Sequence, residues 1–117
     1  MYSRIRLKMV RDGQVVYENE SPMRILNGNY LFSMDSAKYH FDNEKLTLVK
    51  HDKDMSLTLD FKNKKLLIRP NNMPEFITID MSNVSYEDDG NVIFIHYEHE
   101  METLFKTDIT INLYWQD

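Results

Sequence analysis

Within the last third of the sequence His96, Glu98, Glu100 and Glu102 fall at every second position. These are metal-ligand types, and on an extended strand they share one face at intervals of roughly 6.5 to 7 Å. His96 with Glu98 could serve zinc or manganese, whose sites take imidazole and carboxylate ligands. Same-face neighbours that far apart need ligands from an adjacent strand to converge on one ion, and the sequence has no second His/Asp cluster to supply them. The expectation is therefore a solvated acidic face, paired across strands with basic residues such as Arg4, Arg6 and Lys8, with no metal and no cofactor. His99, three positions from His96, must face the other way on a strand. Pointing inward, it reads as a hydrogen-bonded core histidine. His40 and His51 sit near turn signals and are expected to be exposed.

Other chemistries find less support. No serine lies in a Gly-x-Ser-x-Gly elbow, and three glycines in all leave no phosphate-cradling loop. With no cysteine, thiolate chemistry and disulfides are excluded. Asp52 with Asp54, and Asp88 with Asp89, lie in turns, where aspartate bonds its own backbone. Nothing beside them promises the burial that would separate their pKa values for acid-base work. Asp88-Asp-Gly-Asn91 lacks the other ligands of a calcium loop. The chain is read as a non-enzyme.

Lys62, Lys64, Lys65 and Arg69, with Lys50 and Lys53, could form one basic end, with Tyr39, Phe41 and Phe61 placed to stack bases. Against this stand a net charge of -5 and a pI near 5.3, because nucleic-acid binders need basic surface to displace counterions. Lysines at hairpin tips equally guard strand edges against aggregation. No nucleic-acid partner is expected.

These residues need elements to hold them. The 117 residues, 42% hydrophobic and 28% charged, suit one soluble domain spanning 1–117 with a single core. Met1 to Val10 has no apolar leader segment, and no run is long enough for a membrane span. The cytoplasm is the expected location.

Alternation with a period of two dominates the chain. Ile5, Leu7 and Met9 alternate with basic residues; Leu57, Leu59 and Phe61 alternate with Ser56, Thr58 and Asp60; Ile109, Ile111, Leu113 and Trp115 alternate with polar residues. Phe76 to Met81, Val84 to Tyr86 and Asn91 to Glu100 read as further strands. Asp12-Gly13, Asn27-Gly28 and Asp89-Gly90 are hairpin dipeptides. Ser21-Pro22 marks a bend or an edge, and Pro70 to Pro74 is the least regular piece. Apart from a short turn around Met73 to Phe76 or Glu100 to Phe105, no helical periodicity appears. About eight or nine strands in one open sheet would leave long edges and a bare apolar face. The expected remedy is a single antiparallel up-and-down β-barrel, all-β in class.

The basic strand Ile5-Arg-Leu-Lys-Met9, Gly28-Asn-Tyr30, the run from Leu46-Thr-Leu48 to Leu59-Asp-Phe61, and Phe94-Ile-His-Tyr97 before Ile109-Thr-Ile-Asn-Leu113 together resemble the bacterial YwiB-like family of calycin-like barrels. The chain departs from that family in lacking a Thr-Pro-Tyr-Gly-like segment after the central strands, for which Asn72-Met-Pro-Glu75 is a poor substitute. The resemblance implies a lipocalin-like barrel and assigns no activity.

Small barrels hold packed side chains or one ligand. The bulky residues read as inward are Tyr30, Phe32, Leu57, Leu59, Phe61, Ile77, Ile79, Phe94 and Trp115. The functional expectation is a binding module for a small apolar or amphipathic ligand at the barrel mouth, touched by Tyr30, Phe32, Phe61, Phe94 and Tyr97. The alternative is a protein-interaction module using a sheet edge or an apolar patch near Pro22 or Phe105. A third reading is a metal-dependent hydrolase around His96 and Glu98.

Overall fold

In the computed structural model, residues 2–100 and 104–116 are described, with side chains over 3–99. Ten strands follow one another: β1 (Tyr2–Arg11), β2 (Gln14–Leu26), β3 (Asn29–Met34), β4 (Ala37–Asp42), β5 (Thr47–His51), β6 (Met55–Asp60), β7 (Lys65–Pro70), β8 (Ile77–Asp88), β9 (Val92–Glu100) and β10 (Leu104–Gln116). Among the described residues the pairings are antiparallel, in the hydrogen-bonded order β1-β10-β9-β8-β7-β6-β5-β4-β3-β2. Among the described residues the expected all-β, up-and-down succession of antiparallel strands is what forms, barrel-like in its order, with ten strands. Among the described residues no helix is long and apolar enough to cross a membrane.

Turn chemistry sets the hairpins. Asp12-Gly13 and Asn27-Gly28 carry both φ angles in the left-handed region (49° and 81°; 52° and 82°), the geometry that matches the twist of two-residue hairpins. Asp35-Ser36 makes the same turn without glycine (49° and 65°). Aspartates close the longer loops. The Asp42 carboxylate accepts from the N–H groups of Glu44 and Lys45, and that of Asp52 accepts from those of Asp54 and Met55. These two bonds, with the charges of Lys50 and His51 behind them, hold the Asp52 carboxyl below its usual range. Around Met73 to Phe76 there is no helical turn, only a bend at Pro74 and Glu75. The other segment considered for a helical turn, Glu100 to Phe105, includes residues outside the described ones.

Two elements depart from expectation. β2 runs unbroken through Pro22, the last residue of that strand in register with β1, opposite Arg4. A proline lacks only a donor, so it is tolerated where the ladder ends. β8 joins the runs expected at Phe76–Met81 and Val84–Tyr86 into one strand from Ile77 to Asp88, whose register on β9 slips between Ser82 and Ser85.

The chain divides into two compact units, Met1–Met23 with Met81–Asp117, and Arg24–Asp80. In the first, Ile5, Leu7, Ile93 and Ile95 are buried completely or nearly so. In the second, Phe41, Leu48, Leu59, Phe61 and Leu66 play that part. Burying such a side chain contributes roughly 1.5 to 3 kcal/mol. β10 lies opposite β1 with Ile109, Ile111 and Leu113 in register with Met9, Leu7 and Ile5. The side chains of Ile109, Ile111, Leu113 and Trp115 lie outside the described residues.

Candidate functional site

β9 separates its chemistry by face. Ile93, Ile95, Tyr97 and His99 are buried, while Phe94, His96 and Glu98 occupy the other face. His96 Nε2 stands 3.8 Å from Glu98 Oε1, and Glu98 Oε2 accepts a 2.6 Å hydrogen bond from Asn83 Nδ2. Asn83 sits in the bulge of β8 with φ of 50°. Among the described residues no third His, Asp or Glu joins His96 and Glu98 as a ligand set; Glu102 and the side chain of Glu100 lie outside them. Among the described residues, β1, which carries Arg4, Arg6 and Lys8, is not a neighbour of β9, so the expected cross-strand pairing is not one between adjacent strands. β9 lies between β8 and β10. Arg6 pairs instead with Glu20 of β2, donating from Nε at 2.8 Å, and Arg4 Nη2 lies 3.9 Å from the same carboxylate.

His99 faces inward. It is stacked on Tyr97 with centroids 6.0 Å apart. Burial strips water from its charged form and the Arg11 guanidinium repels it, so its pKa lies below the ordinary value.

The residues expected to touch a ligand fall in both units. Tyr30, Phe32 and Phe61 belong to residues 24–80, Phe94 and Tyr97 to the other unit. Phe32 stacks flat on Tyr39 at 5.0 Å, and Tyr30 on Phe41 at 6.1 Å. Phe61 is buried, its N–H donating to the Leu46 carbonyl. The inward placement of Phe94 does not hold. It is 46% exposed, because odd-numbered Ile93, Ile95 and Tyr97 fix the buried face and strand parity turns residue 94 outward. Tyr39, Phe41 and Phe61 are all buried, so their rings are not offered to stack bases. The single basic end also divides. Lys62 and Lys64 lie in the β6–β7 turn, with Lys65 paired to Asp80, while Arg69 lies at the far end of β7.

Register arranges the inner face of residues 24–80 into rows. Tyr30, Phe41, Leu48, Leu59, Leu66 and Ile79 form one, and its middle four members are buried. The parallel row is Phe32, Tyr39, Lys50, Leu57, Ile68 and Ile77. It opens progressively: Phe32 and Tyr39 are buried, Lys50, Leu57 and Ile68 half-buried, and Ile77 is 51% exposed. Six strands spaced about 4.8 Å apart make that row roughly 24 Å long. It is an apolar track ending in the open, with one ammonium group set into it. Among the described residues Lys50 has no ion pair. The signal for Lys50 was present in the sequence, since it shares parity with Leu48.

The outer face of the same unit carries a polar row that the sequence did not disclose: Ser33, Lys38, His51, Ser56 and Arg69. His51 Nδ1 and Ser56 Oγ are 2.6 Å apart. The Arg69 guanidinium lies 5.5 Å from the centre of the Phe76 ring, and its Nε is buried without a hydrogen-bond partner among the described residues. A Ser–His pair becomes a nucleophile when an acid orients the imidazole. Among the described residues no carboxylate bonds His51, and neighbouring Asp52 is engaged by its own turn. The pairing depended on the β5–β6 loop length, which no sequence motif announces.

No family model matches the chain, and no curated protein matches it. Among solved structures, the chain is similar to the crystal structure of ywiB protein from Bacillus subtilis, with a TM-score of 0.42 and 12% sequence identity over 95% of this chain and 90% of that one.

Proposed function

We propose that the chain is a non-enzymatic binding module for a small amphipathic ligand with an acidic head group, held along the half-open row of residues 24–80. One observation carries this reading: Lys50 lies in register between Tyr39 and Leu57 on the apolar face, in line with Leu57, Ile68 and Ile77. An ammonium on an apolar track matches a carboxylate attached to a hydrocarbon chain, with hydrophobic contact supplying most of the affinity and the charge setting orientation. Phe32 forms the closed end of the row, while Tyr30 and Phe61 support it from the same unit. The finer assignment to the calycin-like YwiB-like family, and to the cytoplasm, belongs to the same proposal. Its support is the strand succession and the motifs quoted above.

The test is binding of dodecanoic acid and of dodecanol, followed by calorimetry. Ile68→Asp should abolish both, and Lys50→Gln should weaken the acid by up to roughly fivefold, the range of a half-exposed ion pair, without affecting the alcohol. Failure of either ligand to bind, or equal binding to Ile68→Asp, overturns the reading.

A second reading has its own observation. Met73, Phe76 and Ile77 are each about half exposed within five residues, an apolar patch of the kind that mediates protein contacts. Light scattering that shows concentration-dependent association, lost in Phe76→Ser, would favour it.

A further inference from the structure

The outer row of residues 24–80 has a composition that its surroundings do not explain. Lys38, His51, Ser56 and Arg69 are successive register partners across β4, β5, β6 and β7, so their side chains leave the sheet on one face, neighbours about 5 Å apart. The chain as a whole is acidic, yet this row contains no carboxylate. Among the described residues neither Lys38 nor Arg69 has an ion pair. The unpartnered Arg69 Nε is unusual, because buried N–H donors nearly always find an acceptor. The Phe76 ring over the guanidinium holds the fork in one orientation. Across the ladder, Ser56 is itself buried and its Oγ is already tied to His51.

We propose that this row is a binding site for a tetrahedral oxyanion, a phosphate either free or carried as a monoester on a small molecule. Arg69 Nε–H donates to one oxygen. The Ser56 hydroxyl donates to a second, which requires His51 Nδ1–H to donate into Ser56 Oγ. Lys38 beside His51 adds charge at the outer end of the row. Such a fixed arginine fork with a hydroxyl donor next to it suits phosphate geometry better than a lone ammonium does. The site lies on the opposite face from the apolar row and does not depend on the ligand proposed there.

The experiment is titration of the full chain with inorganic phosphate and, separately, with glycerol phosphate, followed by backbone amide shifts. Saturable shifts centred on Ser56 and Arg69 are expected, stronger for whichever source is the natural ligand. Arg69→Gln should weaken binding roughly tenfold, as the loss of a charge-assisted hydrogen bond implies. Arg69→Lys should weaken it nearly as much, because charge is kept and the fork is lost. Lys53→Gln, at the neighbouring hairpin tip, should leave it unchanged. Should Arg69→Gln fail to fold, Ser56→Ala provides the same reading through the other donor. Shifts that never saturate, or that survive both Arg69→Lys and Ser56→Ala, overturn the site.

Discussion

His99 shows how one buried side chain can couple the fold to pH. It shares the inward face of β9 with Ile95 and Tyr97, and both burial and the Arg11 charge favour its neutral form. Its folded pKa therefore lies below the ordinary 6.5. In the interval between those two values the unfolded chain binds a proton that the folded chain refuses, so stability is full above the ordinary value and declines as pH falls through the interval. His99→Gln removes that linkage. Urea unfolding of both proteins from about pH 7 to about pH 5 should show the wild type losing stability faster, the gap between them changing steadily with pH. The other histidines are common to both proteins and cancel in the comparison. Parallel curves would mean that His99 is not held neutral. Its inward direction agrees with parity, because it alternates in step with Ile93, Ile95 and Tyr97. The same rule turns the Phe94 ring outward, and on this strand parity decides over aromatic size.

At the scale of elements, alternation located nearly every strand, and the Asp-Gly and Asn-Gly dipeptides located the hairpins at residues 12–13 and 27–28. What sequence could not separate is a bulge from a turn. Met81 lies opposite His99 and Tyr86 opposite Ile95, five residues on β8 against four on β9. One extra residue breaks the alternation in either case. The inner row with Lys50 is invisible to sequence for a related reason: alternation assigns a face, but only register across β4 to β8 reveals which residues line up. Asn83 is what makes the bulge specific. Its short polar side chain tolerates the left-handed φ of 50°, and its amide donates to Glu98. Asn83→Ala loses the hydrogen bond and keeps the strain, a cost of about 1 to 3 kcal/mol. Asn83→Gly relieves the backbone and loses only the bond, so stability measured by urea denaturation should run Asn, then Gly, then Ala. Equal values for Gly and Ala would show that φ at this position costs nothing.

For the whole molecule, connectivity predicts the order of assembly. Every other pairing in the ladder joins strands that are consecutive in sequence, but β1 pairs with β10, Tyr2 opposite Gln116. Loop-closure entropy grows with the logarithm of loop length, so that pairing costs about 3 kcal/mol more than closing a short hairpin. A pairing so penalised contributes late, after local hairpins such as β5–β6 and β6–β7 have formed. Leu7 is fully buried on β1, opposite Ile111 of β10, whereas Leu59 is buried on β6 between Leu48 and Leu66. Replacing either with alanine should cost about 2 to 5 kcal/mol at equilibrium. The cost should divide differently in kinetics. Leu59→Ala should mainly slow refolding, since its neighbours are already in place at the transition state, and Leu7→Ala should mainly speed unfolding. Stopped-flow chevrons for the two variants read this directly. A Leu7→Ala protein that refolds slowly and unfolds at the wild-type rate would place the β1–β10 pairing in the nucleus, and the entropic ordering would then be wrong.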